Sequence, residues 1–152
     1  MSNTLENLSR SAVRVGRSIH GLGVFAVKPL GAKQWLGPIE GEIIDDPEYE
    51  SDYCMELGAD LALEPASPFR YVNHSCHPNC SLIEIETEYD HGRLVPELWL
   101  QVDAEIAAGQ QITIDYGWPA RAAVPCECGS ADCRHWIVAA NELDRVLAAR
   151  KS

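Results

Sequence analysis

Three cysteines fall within eight residues in the segment Pro125-Cys126-Glu-Cys128-Gly-Ser-Ala-Asp-Cys133. Buried thiols rarely cluster so locally, and the residues between them are polar, so packing alone does not account for them. Gly129 allows the tight turn that closes the three on one ion, and thiolates at this spacing suit tetrahedral zinc. Zinc asks for a fourth ligand. Cys54, Cys76, Cys80 and His135 could each supply it, and spacing does not choose among them. Unless His135 supplies that ligand, the fold must bring one distant segment against residues 126–133. A site of four thiolates has no open position for substrate, so its role is structural.

The remaining composition narrows the setting for such a site. The opening residues, MSNTLENLSRSAVRVGRS, carry no apolar signal-peptide core, and no apolar run approaches membrane-spanning length. An intracellular protein is expected, cytoplasmic in a bacterium or nuclear in a eukaryote, and not secreted. There, six cysteines point to metal ligation or burial rather than to disulfides. A chain of 152 residues has room for one ordinary core. Its net charge of −11 offers no basic footprint for phosphates, so neither direct nucleic-acid nor membrane binding is expected. A cationic partner fits better. Ten carboxylates and no Lys or Arg lie between Glu40 and Glu64; by charge alone this is a solvated, solubilising face.

Short β-type runs punctuated by Gly and Pro fill most of the length: Ala12 to Val15, Gly23 to Val27, Trp35 to Ile44, Leu61 to Leu63, Leu82 to Thr87, Leu98 to Val102 and Gln111 to Ile114. This pattern predicts a mostly β fold. Strict alternation from Leu82 to Glu88 predicts a half-buried strand. Tyr89 to Pro96 and Pro119 to Pro125 read as connectors. From Asn141 to Arg150, Leu143, Val146 and Leu147 form one stripe closed by basic residues, which predicts a short C-terminal helix packed on the domain or, alternatively, against a second copy.

Two further segments are dense in reactive side chains. Arg70-Tyr-Val-Asn73-His74-Ser75-Cys76-His77 offers ligands, bases and hydrogen-bond donors at once. Ile112-Thr-Ile-Asp115-Tyr116-Gly117 is a strand ending in a tyrosine, a placement that can aim a hydroxyl into a cleft. Gly21-Leu22-Gly23 allows close backbone approach to a ligand or closes a hairpin.

In this order the segments resemble the SET family of lysine methyltransferases, in the stand-alone, bacterial-type form with a post-SET zinc motif. Ser18 to Ala26 resembles the family's opening glycine turn, Gly41-Glu-Ile-Ile44 its GE strand, and Asn73-His-Ser-Cys76 its signature core. Gly109 to Gly117 resembles its catalytic strand, and Cys126, Cys128 and Cys133 its post-SET cysteines. The resemblance implies a β-clip fold of several small sheets with a pseudoknot, a zinc-bound post-SET segment and a short C-terminal helix. It divides the chain into a SET domain at 12–118, a post-SET segment at 119–137 and the helix at 138–152. It makes Cys76 the fourth zinc ligand, beside Cys126, Cys128 and Cys133, and leaves Cys54 and Cys80 to packing.

By the same likeness, S-adenosylmethionine would be held by Gly21, Leu22, Gly23, Val24, Arg70, Asn73 and His74, with Tyr116 as the catalytic tyrosine and S-adenosylhomocysteine as the product. Trp136 would cover the adenine or belong to the core. The implied activity is methyl transfer to a lysine ε-amine of a basic, histone-like protein or peptide, by a monomer or homodimer. The acidic 40–64 stretch would attract that substrate. Many relatives carry aromatic residues two places before the GE pair and two before the catalytic tyrosine; here stand Ile39 and Ile114, which would loosen the channel. They also favour, mildly, an alternative in which the SET fold only docks a partner. A zinc-ribbon interaction protein would explain the cysteines but leave the Asn73 and Tyr116 segments idle.

Overall fold

A computed structural model describes residues 12–19, 21–58, 60–89 and 92–150. Among the described residues the strands form four small sheets rather than one large one. The first contains β1 (Val13–Ser18), β2 (Gly21–Ala26), β10 (Gln111–Ile114) and β7 (Asn73–His74), in the order β1-β2-β10-β7. Gly21, at φ +106°, supplies the left-handed residue at the turn from β1 to β2. β10 runs antiparallel to β2 but parallel to β7, pairing Thr113 with Asn73 and Ile114 with His74. That parallel pair unites the two segments that carry the densest polar chemistry.

The second sheet sets β9 (Arg93–Val102) between β3 (Trp35–Pro38) and β8 (Cys80–Tyr89). The third has the order β4-β6-β5, from β4 (Gly41–Ile44), β5 (Met55–Gly58) and β6 (Leu61–Pro65). The fourth joins β11 (Val124–Pro125) to β12 (Trp136–Ile137) across the cysteine segment. Near the C-terminus an α-helix, α1 (Leu143–Arg150), follows a 3-10 turn at Ala140–Glu142. The core gathers side chains from the three larger sheets, with Val24, Leu36, Leu100 and Ile112 wholly buried. Each such side chain contributes about 1.5–3 kcal/mol.

Three sequence expectations need correction. The Trp35 to Ile44 run is two strands, because the chain leaves β3 at Ile39–Glu40 and enters a different sheet. Tyr89 to Pro96 is no simple connector: β8 and β9 form a ten-pair hairpin from Cys80↔Val102 to Tyr89↔Arg93. Pro96 is accommodated because β3 pairs β9 only at Trp99 to Gln101, leaving the other edge of β9 free at position 96. That hairpin also outruns its cover, so Ile85, on the face expected to be buried, is 38% exposed. β5 was not foreseen at all.

The C-terminal helix is present, but only Val146 of its expected stripe is buried, and Leu147 is exposed.

Candidate functional site

The site grows from the parallel β7–β10 pair. Asn73 sits where three segments meet: its Nδ2 donates to the Leu22 carbonyl at 3.0 Å and to Gln111 Oε1 at 2.7 Å, with Ser18 Oγ at 3.3 Å. Gly23 makes this possible. A Cβ there would lie 2.5 Å from Gln111 Oε1 and 3.1 Å from Asn73 Nδ2, so any side chain would push into the network.

His74 is sealed, with its side chain 2% exposed. The Tyr116 backbone N–H donates to its Nδ1 at 3.1 Å, which places the ring proton on Nε2, 3.4 Å from Cys76 Sγ. Burial lowers its pKa, with Arg134 adding to the effect and Asp115 opposing it, in keeping with a neutral ring. Both ring nitrogens are therefore used within the protein, and only the main chain of His74 is left for a ligand. Val24 is wholly buried and likewise offers main chain only.

Tyr116 follows β10, as the strand-end pattern predicts. Its hydroxyl donates to the Val72 carbonyl at 2.7 Å. Burial, and Tyr53 to a lesser degree, push its pKa up to about 12, so the phenol remains a protonated donor across the neutral range. Around it gather the rings of Trp118, at 5.2 Å, and of His74, at 5.3 Å between centroids. Tyr116, Gly21, Leu22, Arg70 and Asn73 line one cavity of about 170 Å³, together with Tyr53, Tyr71 and Val72. Ile39 and Ile114 are core residues, 5% and 3% exposed.

The acidic stretch reaches this cavity through one chain of contacts. Tyr49 donates to Glu64 at 2.6 Å, Glu64 pairs with Arg70 at 2.8 Å, and the Arg70 guanidinium lies 4.1 Å above the Tyr53 ring. The hydroxyls of Ser51 and Tyr49, then Arg70, hold Glu64 below the usual carboxylate range. Tyr53 sits among the carboxylates that dominate a charge-based reading, which is why sequence patterning did not single it out.

Behind β7, Cys76 is the fourth-ligand candidate that lies against the other three thiols. The Sγ atoms of Cys76, Cys126, Cys128 and Cys133 all lie within 4.8 Å of one another, and Cys76 to Cys126 measures 3.9 Å. A tetrahedral zinc–thiolate site has sulfur–sulfur edges of about 3.8 Å, so the donor set fits that ion. No disulfide joins these cysteines. Burial pushes the Cys76 and Cys126 thiols up, while hydrogen bonds centred on Ser130 overcome burial and bring Cys128 down to about 5. Ionising all four together calls for a cation among them.

Of the other candidates, Cys80 is buried and pushed up to about 12, Cys54 bonds to Ser51, and His135 is exposed. Trp136 stands apart from the Tyr116 cavity. Its ring lies 4.4 Å below the Arg150 guanidinium and lines a second cavity of about 270 Å³, formed with Arg121, Arg145 and Val146.

The SET domain family model matches residues 21–117, and the chain belongs to the SET-domain family. Within it, the relatives are histone-lysine methyltransferases. The chain is 27% identical over 146 residues to the histone-lysine N-methyltransferase trr of Drosophila melanogaster, covering 84% of this chain and 6% of that protein. It is 29% identical over 135 residues to an H3 lysine-4 specific histone-lysine N-methyltransferase of Schizosaccharomyces pombe, covering 78% of this chain and 14% of the relative. The chain thus spans a small part of the proteins it matches. In structure it is similar to KRYPTONITE, solved in complex with mCHG DNA and SAH, with a TM-score of 0.71 and 23% identity over 82% of this chain and 28% of that one. A second crystal structure of KRYPTONITE, with mCHH DNA, an H3(1-15) peptide and SAH, matches equally well. That likeness establishes the SET fold expected from the motifs.

Proposed function

We propose that this chain is a protein lysine methyltransferase, transferring a methyl group from S-adenosylmethionine to the ε-amine of a lysine in a basic, histone-like protein or peptide. The observation that carries this reading is Tyr116: a protonated hydroxyl at the end of β10, in one cavity with Gly21, Leu22, Arg70 and Asn73. The names of the relatives and the SAH in both KRYPTONITE structures support it.

In this reading the backbone of Gly21–Val24, the Arg70 and Asn73 side chains and the main chain of His74 hold S-adenosylmethionine. Trp136 is assigned to the adenine on the resemblance alone. S-adenosylmethionine supplies an already activated methyl group, so the protein's share is alignment and exclusion of water. The incoming amine must be neutral, which costs a free lysine roughly 4–5 kcal/mol near pH 7. Burial of the amine between the Tyr53, Tyr71 and Tyr116 rings, beside a cationic donor, lowers that cost without a dedicated base. Among the described residues, Tyr116 holds its proton too tightly to act as one and His74 has no free nitrogen. The Tyr116 hydroxyl orients the amine, and the lysine's proton leaves to water before transfer.

The four thiolates would hold a structural zinc whose work is to fasten residues 126–138 beside the site. The exposed carboxylates of residues 40–64 would attract the substrate's positive charge.

The test is incubation of the zinc-loaded chain with labelled S-adenosylmethionine and histone-like proteins or lysine-rich peptides, repeated with Tyr116→Phe. Label transferred by the parent chain and lost in the variant is expected. Binding of S-adenosylmethionine with no transfer to any substrate would favour the docking reading.

A further inference from the structure

Arg134 follows the last cysteine of the cluster, yet its side chain points toward the catalytic strand. Its Nη2 lies 2.9 Å from both Asp115 oxygens and donates to the Val138 carbonyl at 2.9 Å. The Arg134 side chain is 14% exposed and its Nε is buried without a hydrogen-bond partner. A guanidinium oriented only to satisfy itself would not leave that donor bare. Its placement is set by the carboxylate. Asp115 immediately precedes Tyr116, and its Oδ1 also accepts the Gly117 N–H at 3.1 Å. The carboxylate therefore spans Tyr116 from the residue before to the residue after.

The same arginine reaches the metal ligands from its other end. The Arg134 backbone N–H donates to Cys76 Sγ at 3.3 Å, and His74 Nε2 approaches that sulfur at 3.4 Å. Two routes thus connect Cys76 with Tyr116. One runs through the His74 ring to the Tyr116 N–H. The other runs through Arg134 and Asp115 to the Gly117 N–H. Outer-sphere partners of this kind orient metal ligands and tune their affinity.

We propose that the Arg134–Asp115 pair is a positioning device that couples the order of the cysteine cluster to the placement of Tyr116. Neither residue lines the Tyr116 cavity, and the pair acts through the backbone on either side of the tyrosine. This rests on the methyltransfer reading for its kinetic consequence but not for its structural one. When the metal is bound, the 126–138 segment is held and Arg134 braces Asp115. When it is removed, the brace loosens and Tyr116 is left with the Val72 contact alone at its tip.

The experiment uses the full, zinc-loaded chain with Arg134→Gln, Asp115→Asn and Arg134→Lys. Hydrogen exchange at the Tyr116 and Gly117 amides should accelerate when the parent chain is treated with chelator. In Arg134→Gln and Asp115→Asn it should be fast with zinc still present. Zinc retention against a competing chelator should weaken by about tenfold or more in Arg134→Gln, the usual range for an outer-sphere partner. With methyl transfer as readout, kcat should fall about tenfold or more with peptide KM within twofold, as expected for misplaced catalytic geometry. Arg134→Lys should recover part of each effect.

Unchanged amide exchange in Arg134→Gln, or exchange in the parent chain that ignores chelation, overturns the coupling. So does a lower kcat without faster exchange. A parent chain that transfers no methyl group counts against the activity, while exchange and zinc retention still decide the coupling.

Discussion

Replacing Tyr116 by Phe removes one hydroxyl and changes little else in shape, so its consequences can be worked from two observations. The first is the 2.7 Å bond to the Val72 carbonyl. Its loss costs about 1–2 kcal/mol of stability at pH 8. The second is the phenol's pKa, raised by burial from 10.0 to about 12. A group whose folded pKa lies above its unfolded value contributes stability that is present below the unfolded value and lost as pH rises through the folded one. The window here is pH 10 to 12. Two units correspond to about 2.7 kcal/mol, and about half of that is gone at pH 11.

The parent chain should thus exceed Tyr116→Phe by about 1–2 kcal/mol at pH 8. The difference should shrink to near zero around pH 11. Urea midpoints of both zinc-loaded chains, measured at half-unit steps from pH 8 to 11, give the difference directly. Methyl transfer at pH 8 should fall about a hundredfold or more in the variant, because the hydroxyl orients the amine. A stability gap that stays constant to pH 11 would refute the claim that Tyr116 titrates high because it is buried. Full activity in the variant would refute its role in alignment.

Three other expectations can be checked in the same assays. Gly23→Ala drives a methyl group against Gln111 Oε1 and Asn73 Nδ2; the chain should lose about 1–3 kcal/mol and bind S-adenosylhomocysteine several-fold more weakly by calorimetry, and wild-type affinity and stability would show that the network yields freely. Changing Asp45 and Asp46 to Asn and Glu48 and Glu50 to Gln should raise peptide KM about three- to tenfold at low salt, with the difference vanishing at high ionic strength; an unchanged KM removes the acidic stretch from substrate attraction. Trp136→Ala should weaken S-adenosylhomocysteine binding about tenfold or more if the ring covers the adenine; unchanged affinity with a lower melting temperature would leave Trp136 as the ring on which Arg150 of α1 rests.

Much of this site was legible because its chemistry is local. Cys126, Cys128 and Cys133 lie close in the chain, and Gly21-Leu22-Gly23 and Asp115-Tyr116-Gly117 each occupy a single turn or strand end. The choice of Cys76 over Cys54, Cys80 and His135 needed either the resemblance or the coordinates, since nothing in the spacing sets Cys76 against thiols 50 and more residues later. Tyr53 and Arg134 act across long distances in sequence, Tyr53 against Arg70 and Arg134 against Asp115, and no spacing encodes such pairs.

The β elements followed the same division. Alternation in Leu82 to Thr87 found β8, whereas the hidden extension of β9 through Pro96 depends on where β3 stops covering it. β5 was missed because Met55-Glu-Leu-Gly58 is too short to show a period and is defined by its neighbour β6.

The two-residue strand β7 sets an order of assembly. Its partners in β10 lie forty positions later, and Cys76 meets Cys126 across 50. The β8–β9 hairpin can close on its own long before, from contacts near in sequence. Loops of this length are slow to close. During synthesis, β7 therefore waits without its partner strand until residue 114 has emerged, and Cys76 waits without its fellow thiols until residue 133 has. Reactive sulfur is exposed throughout that interval, so the yield of active protein should depend on zinc and reductant supply while the chain is being made.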